Sequence, residues 1–253
     1  MSSVALALLC FTLTFGGALL GLRVRSFLPV HHLSEDARDV VKLGAGLIAT
    51  LAAMVLGLLV SSAKGTLDSM NTELTQMGAR IILLDRVLAG YGPETREVRA
   101  KLRSGVTSTI DRIWPEDSSS RVSLRTVEAS RSLEELQDRL RRLSPGNDDQ
   151  RQFKAQALQI AADLAQSRWL LIEQTQQALP TVLLIVLLFW LVILFAGFGL
   201  LSRVNATVIA VLLVCALSVS GAIFLILEMG TPITGIIKVS SAPLHKALDF
   251  IGR

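Results

Sequence analysis

Residues 179–202 read LPTVLLIVLLFWLVILFAGFGLLS, and residues 204–227 read VNATVIAVLLVCALSVSGAIFLIL. Arg203 is the one charge between them. Each run exceeds the roughly 20 residues that a helix needs to cross about 30 Å of hydrocarbon. Pro180 stands at the entrance of the first run, where a missing N–H is tolerated. With only 202–205 to join them, the two runs form an antiparallel helical hairpin. Helices and closed barrels are the forms that satisfy their own backbone in lipid, and no alternating strand pattern of useful length occurs. The hairpin is therefore read as two membrane spans.

Working outward, residues 4–22 and 43–63 also carry no charged side chain. The 51% apolar content and mean hydropathy of +0.53 come from this bunching into four runs rather than from dispersed core positions. The first run follows Met1-Ser2-Ser3, which has no positive charge, and is longer than the apolar region of a signal peptide. It is expected to be a retained span. The fold class is all-α: four spans with an extramembrane helical domain between the second and third. The expected division is 1–64 for spans one and two with their connector, 65–178 for the helical domain, 179–229 for the hairpin and 230–253 for the tail.

The middle region supplies the charge. Residues 62–178 hold 17 Lys plus Arg against 16 Asp plus Glu. That mixture is a solvated surface and excludes a nucleic-acid patch. Its helices are legible from periodicity. Leu67, Met70, Leu74, Met77, Ile81, Leu84, Leu88 and Tyr91 alternate spacings of three and four, a heptad seam that continues span two as one long helix. This seam packs on other helices, either of the same chain or of a partner. Gly90, Gly92 and Pro93 end it. A second helix, 94–113, carries Val98, Leu102, Val106, Ile110 and Ile113 on one face, and residues 114–120 read as a loop. A third starts near Thr126 and stops at Ser144-Pro145-Gly146-Asn147. A fourth begins after Asp148 and Asp149, and a short tail helix covers about 243–251.

Span two has a pattern of its own. Ala45, Ala49, Ala53, Gly57, Ser61 and Gly65 recur at every fourth position. Small residues at this spacing let helices approach closely in lipid, and they also leave room along an axis.

Residue spacing gives little sign of bound chemistry. The two cysteines, Cys10 and Cys215, fall mid-span with no CxxC or Cys/His cluster. His31, His32 and Glu35 lack a third ligand and are read as an interfacial loop. No HExxH, GxSxG, P-loop or GxGxxG occurs, so neither an enzyme nor a metal or cofactor protein is expected. No span contains an ionisable Asp, Glu, Lys, Arg or His, which speaks against a proton-coupled carrier. An anion channel with an apolar gate needs none. Gly16-Gly17, Gly197 and Gly199 fit helix packing, and Glu228 is read as an interfacial carboxylate. Orientation is undecided by charge: Arg23, Arg25, Arg38, Lys42 and Arg203 on one side balance Lys64, Arg80, Arg168, Lys238 and Lys246 on the other.

Several segments together carry a resemblance. They are Leu28-Pro29-Val30-His31-His32-Leu33-Ser34-Glu35-Asp36, Asp39 to Gly44, Val55 to Lys64, and Leu83-Leu84-Asp85-Arg86-Val87-Leu88-Ala89-Gly90-Tyr91-Gly92. Asn205-Ala206-Thr207-Val208 and Ile226-Leu227-Glu228-Met229 with Pro232 and Gly235 complete the set. In these the chain resembles the bestrophin-like family of bacterial membrane proteins, distantly similar to the bestrophin anion channels. The motif positions are Pro29, His32, Lys64, Asp85, Tyr91, Gly92, Asn205, Glu228 and Pro232. The resemblance implies a homo-oligomer, a pentamer in bestrophins, in a bacterial inner membrane, with the helical domain and both termini cytoplasmic. It implies small anions as the solute and span two as the pore lining, which puts Ala53, Gly57 and Ser61 on the axis. Bestrophins carry bulky apolar residues at that neck, and this sequence does not. A dewetting gate would then be missing, or displaced to another face such as Leu51, Val55 and Leu59. The acidic calcium cluster of animal bestrophins is absent, so no calcium site is expected. The alternative function is a non-conducting scaffold or sensor that binds partners through the seam from Leu67 to Tyr91.

Overall fold

The computed structural model describes residues 2–27, 35–114, 127–174, 181–233 and 235–252, without the side chains of 35–38 and 127–131. The described residues form α-helices and turns: α1 Ser3–Phe27, α2 Glu35–Tyr91, α3 Arg96–Ile113, α4 Val127–Arg142, α5 Asp148–Gln174, α6 Thr181–Leu201, α7 Ala206–Met229 and α8 Ala242–Phe250. The fold is all-helical as expected. α1, α2, α6 and α7 are each long and apolar enough to cross a membrane. The connector with Pro29, His31 and His32, the cap position Ser34, Pro180 and most of the 114–120 loop lie outside the described residues.

The chain divides into two compact units, Met1–Gly65 with Ala178–Thr231, and Thr66–Gln177 with Pro232–Arg253. In the first, α1 packs against α6 and α7. Ala18, Leu22, Phe195, Leu212 and Ala216 make one buried cluster. Ala52, Leu59 and Ala63 of α2 join Cys10, Leu187, Leu191, Leu194, Ile223 and Ile226 in another.

Two glycines set the α1–α6 approach. A Cβ on Gly21 would strike the carbonyl oxygen of Ala196, and one on Gly199 would strike that of Ala18. Gly17 lies close to the Val192 backbone, while Gly16 and Gly197 face open space. Of the four glycines read as packing residues, Gly17 and Gly199 pack against described residues of the same chain, and Gly21 joins them. Polar groups are satisfied locally: Ser220 Oγ donates to the Ala7 carbonyl at 2.6 Å, and Arg25 Nη1 donates to the Leu201 carbonyl at 2.7 Å. An unsatisfied donor in hydrocarbon would cost several kcal/mol, on the order of 2–7.

The second unit is built on the predicted seam. Met70, Leu74, Ile81, Leu84 and Leu88 of α2 are buried with Val98, Leu102, Val106 and Ile110 of α3, Leu136 and Leu140 of α4, and Ile160 and Leu164 of α5. The seam is thus filled by helices of the same chain. The tail belongs to this unit as well, with Leu244, Ala247 and Ile251 in the same core. Helix ends are closed by side chains. Asn147 Oδ1 accepts the Gln150 N–H at 2.7 Å, ahead of Asp148 and Asp149 in the first turn of α5. Thr95 Oγ1 donates to the carbonyls of Leu88 at 2.6 Å and Gly92 at 2.8 Å, which satisfies an acceptor left over at the end of α2.

Candidate pore-lining face

Which side of α2 is left over follows from its pitch. At about 100° per residue, a spacing of four advances around the helix by about 40° each step. The stripe from Ala45 to Gly65 therefore winds instead of keeping to one face. Ala45 and Ala49, half-buried, pack against the cluster that holds Ala52 and Leu59. Ala53, Gly57, Ser61 and Gly65 have turned away and are exposed. A Cβ on Gly57 or Gly65 would meet nothing within 4 Å. The same turn of geometry gathers Gly46, Thr50 and Lys64 beside Ala53, Gly57 and Ser61, all exposed. The Thr50 hydroxyl donates to the Gly46 carbonyl at 2.9 Å. The result is a strip of small and hydroxyl-bearing residues that ends in a cation.

Bulky apolar residues flank this strip. Leu43, Leu47, Met54 and Leu58 are exposed on α2. Only 11% of this span's apolar window is buried, against 28–33% for the other three. The face suggested for a displaced gate does not exist as one surface: Leu51 is exposed, but Leu59 is 1% exposed and sits in the core with α6 and α7.

The remaining motif positions do not converge on a pocket. Asp85, only 2% exposed, accepts from Arg99 Nε at 2.8 Å and Arg99 Nη2 at 2.9 Å, and its Oδ2 accepts the Gly252 N–H at 3.3 Å. The hydrogen bond to Asp85 raises the Arg99 pKa. Tyr91 is buried, and its carbonyl accepts from Gln150 Nε2 at 2.9 Å. Gly92 has φ 133°, a conformation L side chains rarely adopt, and this lets α2 end and the 3-10 turn Pro93–Thr95 begin. Asn205 caps α7 by accepting the Thr207 N–H at 3.3 Å. The Pro232 carbonyl accepts the Val239 N–H at 2.9 Å. Glu228, read as an interfacial carboxylate, is 4% exposed and stands at the end of α7. Lys64 alone of the described motif positions is exposed on the candidate face; Pro29 and His32 lie outside the described residues.

A model of the bestrophin-like domain matches residues 12–244. The chain belongs to the bestrophin-like family. Neither the curated proteins nor the solved structures give a match. In this bestrophin-like protein with four candidate spans, the motif residues mainly build caps, a turn and a buried ion pair. Arg99, Thr95 and Gln150, which complete those devices, were not singled out from the sequence. Their partners lie 14, 7 and 59 residues away in the chain, and only the fold brings them together. No group of three or more His, Cys, Asp or Glu side chains suited to a metal occurs among the described residues.

Tyr91 offers a direct readout of this packing, because it is the sole tyrosine. Burial, and secondarily the Glu94 carboxylate, push its phenol above the ordinary value of 10.0. A raised folded-state pKa contributes stability below the unfolded value, and that stability is lost as pH rises through the folded one. An ultraviolet titration of the folded protein is expected to give a single phenolate transition above pH 10.0, shifted part-way down in Glu94→Gln. A midpoint at or below the ordinary value would contradict the buried placement.

Proposed function

We propose that the protein is a homo-oligomeric channel for small anions, with α2 lining the axis. The observation that carries this reading is the exposed strip of Gly46, Thr50, Ala53, Gly57, Ser61 and Lys64 on a span otherwise short of partners. In lipid, small residues at a helix surface favour close association with another helix, and here no helix of the described chain uses them. Copies arranged around an axis would turn the strip inward and bury Leu47, Met54 and Leu58 between neighbours or against lipid. Hydroxyls and a lysine suit an aqueous path for anions. With no bulky residue on the strip, selectivity would rest on this cation and on the hydroxyls instead of an apolar neck.

Membership of the family favours a pentamer in a bacterial inner membrane, with the helical domain and termini cytoplasmic. The activity so proposed is conduction, with no catalytic step. The scaffold alternative loses its surface, since Met70, Leu74, Ile81, Leu84, Leu88 and Tyr91 of the seam are buried in their own unit.

The native mass of the solubilised complex is the first test. A pentamer permits halide flux to be measured in liposomes, where Gly57→Leu is expected to cut flux by about tenfold or more, as an apolar constriction dewets the path, while assembly is kept. A stable monomer, or undiminished flux in an assembled Gly57→Leu channel, would remove α2 from the axis.

A further inference from the structure

The second unit distributes its surface charge unevenly. On α4, every exposed residue with a described side chain is charged, from Glu134 to Arg142. Two other exposed faces carry no charge. On α5 between Arg151 and Glu173, the exposed residues are glutamines, alanines, Trp169 and Leu170. On α2 between Asp68 and Arg86, they are Ser69, Thr72, Thr75, Gln76, Ala79 and Leu83. Trp169 is 64% exposed and Leu83 47%. A surface depleted of charge and bearing an aromatic ring has the composition of a protein–protein interface core, with charges left to the rim.

Within one copy, α2 and α5 run antiparallel. Arg80 Nη1 donates to the Ser167 hydroxyl, and Leu74, earlier on α2, borders the same small hollow as Leu171, later on α5. This register sets Leu83 level with Ala162, Ala79 with Trp169, and Arg86 with Asp163, each within about one turn. Copies in a ring whose axis runs along α2 are related by rotation without translation, so the next copy's α5 meets α2 at these same levels. A bulky residue of one face then stands opposite a small one of the other, and a cation opposite an anion. Arg86 is exposed. Asp163 Oδ1 accepts from Gln159 Nε2 at 3.0 Å, which leaves its second oxygen for a guanidinium.

We propose that the charge-free α2 face of one copy packs head-to-tail on the charge-free α5 face of a second copy. Leu83 seats at Ala162, Trp169 seats at Ala79, and Arg86 pairs with Asp163 at the rim. Like face on like face in such a ring would set Arg86 against Arg86 and Leu83 against Leu83. The glutamines suit a protein partner and not acyl chains, in which their amides would go unsatisfied. The contact rests on the homo-oligomer proposed above, not on conduction.

Cross-linking of the full chain in liposomes with a short bismaleimide tests it, read on a denaturing gel. The background is Cys215→Ser, since Cys215 is exposed and Cys10 is buried. Leu83→Cys with Ala162→Cys in one chain is expected to give a ladder up to the whole ring, because each copy links to both neighbours. Either cysteine alone is expected to give none. Dimers as the largest product would mean a two-fold contact and overturn the head-to-tail packing. No product in a complex whose native mass is oligomeric would overturn this contact and leave the channel reading standing. A monomeric native mass would remove both. As a second measurement, Arg86→Asp is expected to raise the concentration at which the complex half-dissociates by about tenfold, and adding Asp163→Arg to restore it. Unchanged dissociation in Arg86→Asp, or no rescue by Asp163→Arg, would overturn the register.

Discussion

Gly21→Ala is expected to destabilise the membrane unit by about 1–3 kcal/mol, although alanine is the better helix former. The added methyl would strike the carbonyl oxygen of Ala196 and crowd the Leu200 N–H at 2.9 Å. These are backbone atoms of α6, so no side chain can rotate away, and α1 and α6 must separate. Separation loosens the contacts of Ala18 and Leu22 with Phe195, which lie in the same buried cluster. The control is on the same helix: Gly16→Ala meets nothing within 4 Å and is expected to be neutral or mildly stabilising, within about 1 kcal/mol. Gly199→Ala should resemble Gly21→Ala, because its methyl would strike the Ala18 carbonyl from the other side. Both clashes are relieved by the same separation, so the double variant should cost less than the sum of the two. Thermal unfolding in one detergent measures all four. Equal behaviour of Gly16→Ala and Gly21→Ala would remove the close crossing.

The contrast between those glycines shows where sequence reasoning reaches its limit. Four spans were legible because charge-free length is a property of the chain itself. The α2 seam was legible because its spacings of three and four keep one side of a helix facing inward, and Leu74, Ile81, Leu84 and Leu88 are buried as that pattern requires. Which glycine touches a neighbour depends on crossing angle and axial offset, and composition carries neither. Gly17 and Gly21 are four apart, the spacing of close helix contacts in membranes, and this signal stands in the sequence beside the Gly16-Gly17 pair.

The small stripe shows a second limit. A strict period of four looks like a face when written out, but the helix repeats every 3.6 residues, so the stripe crosses from the packed side at Ala45 to the open side at Ser61. Gly46 and Thr50 share the open side without belonging to the stripe. Reading the sequence at 100° per residue from a buried reference such as Ala52 would have found them, but that reference comes from the fold. Glu228 shows a third limit: its position at the end of an apolar run suggests the membrane interface, while its burial depends on what packs over it.

Asp85→Ala is expected to cost about 3 kcal/mol, the low end for breaking a buried ion pair. The low end applies because the two partners differ in exposure: the Asp85 side chain is 2% exposed and that of Arg99 is 21% exposed. On losing this carboxylate, the guanidinium can turn partly to water, which softens the penalty. For a chain of this length, that cost lowers the unfolding midpoint by roughly 6–12 °C. A second consequence is local. Asp85 Oδ2 also accepts the Gly252 N–H at 3.3 Å, while Arg103 Nη1 holds the Ile251 carbonyl at 2.8 Å. Removing the carboxylate should speed hydrogen exchange at Gly252 more than at the amides inside α8, because Ile251 and Leu244 remain buried in the core. Pairing Asp85→Leu with Arg99→Met should recover much of the lost stability, since apolar replacement of both partners removes the desolvated charge along with its partner. It should leave the exchange at Gly252 fast, because no acceptor is restored. A variant Asp85→Ala within about 0.5 kcal/mol of the wild type, the range of an ordinary surface substitution, would mean that the pair contributes nothing to the fold of this unit. Recovery of Gly252 protection in the double variant would mean that the Asp85 carboxylate does not hold the tail.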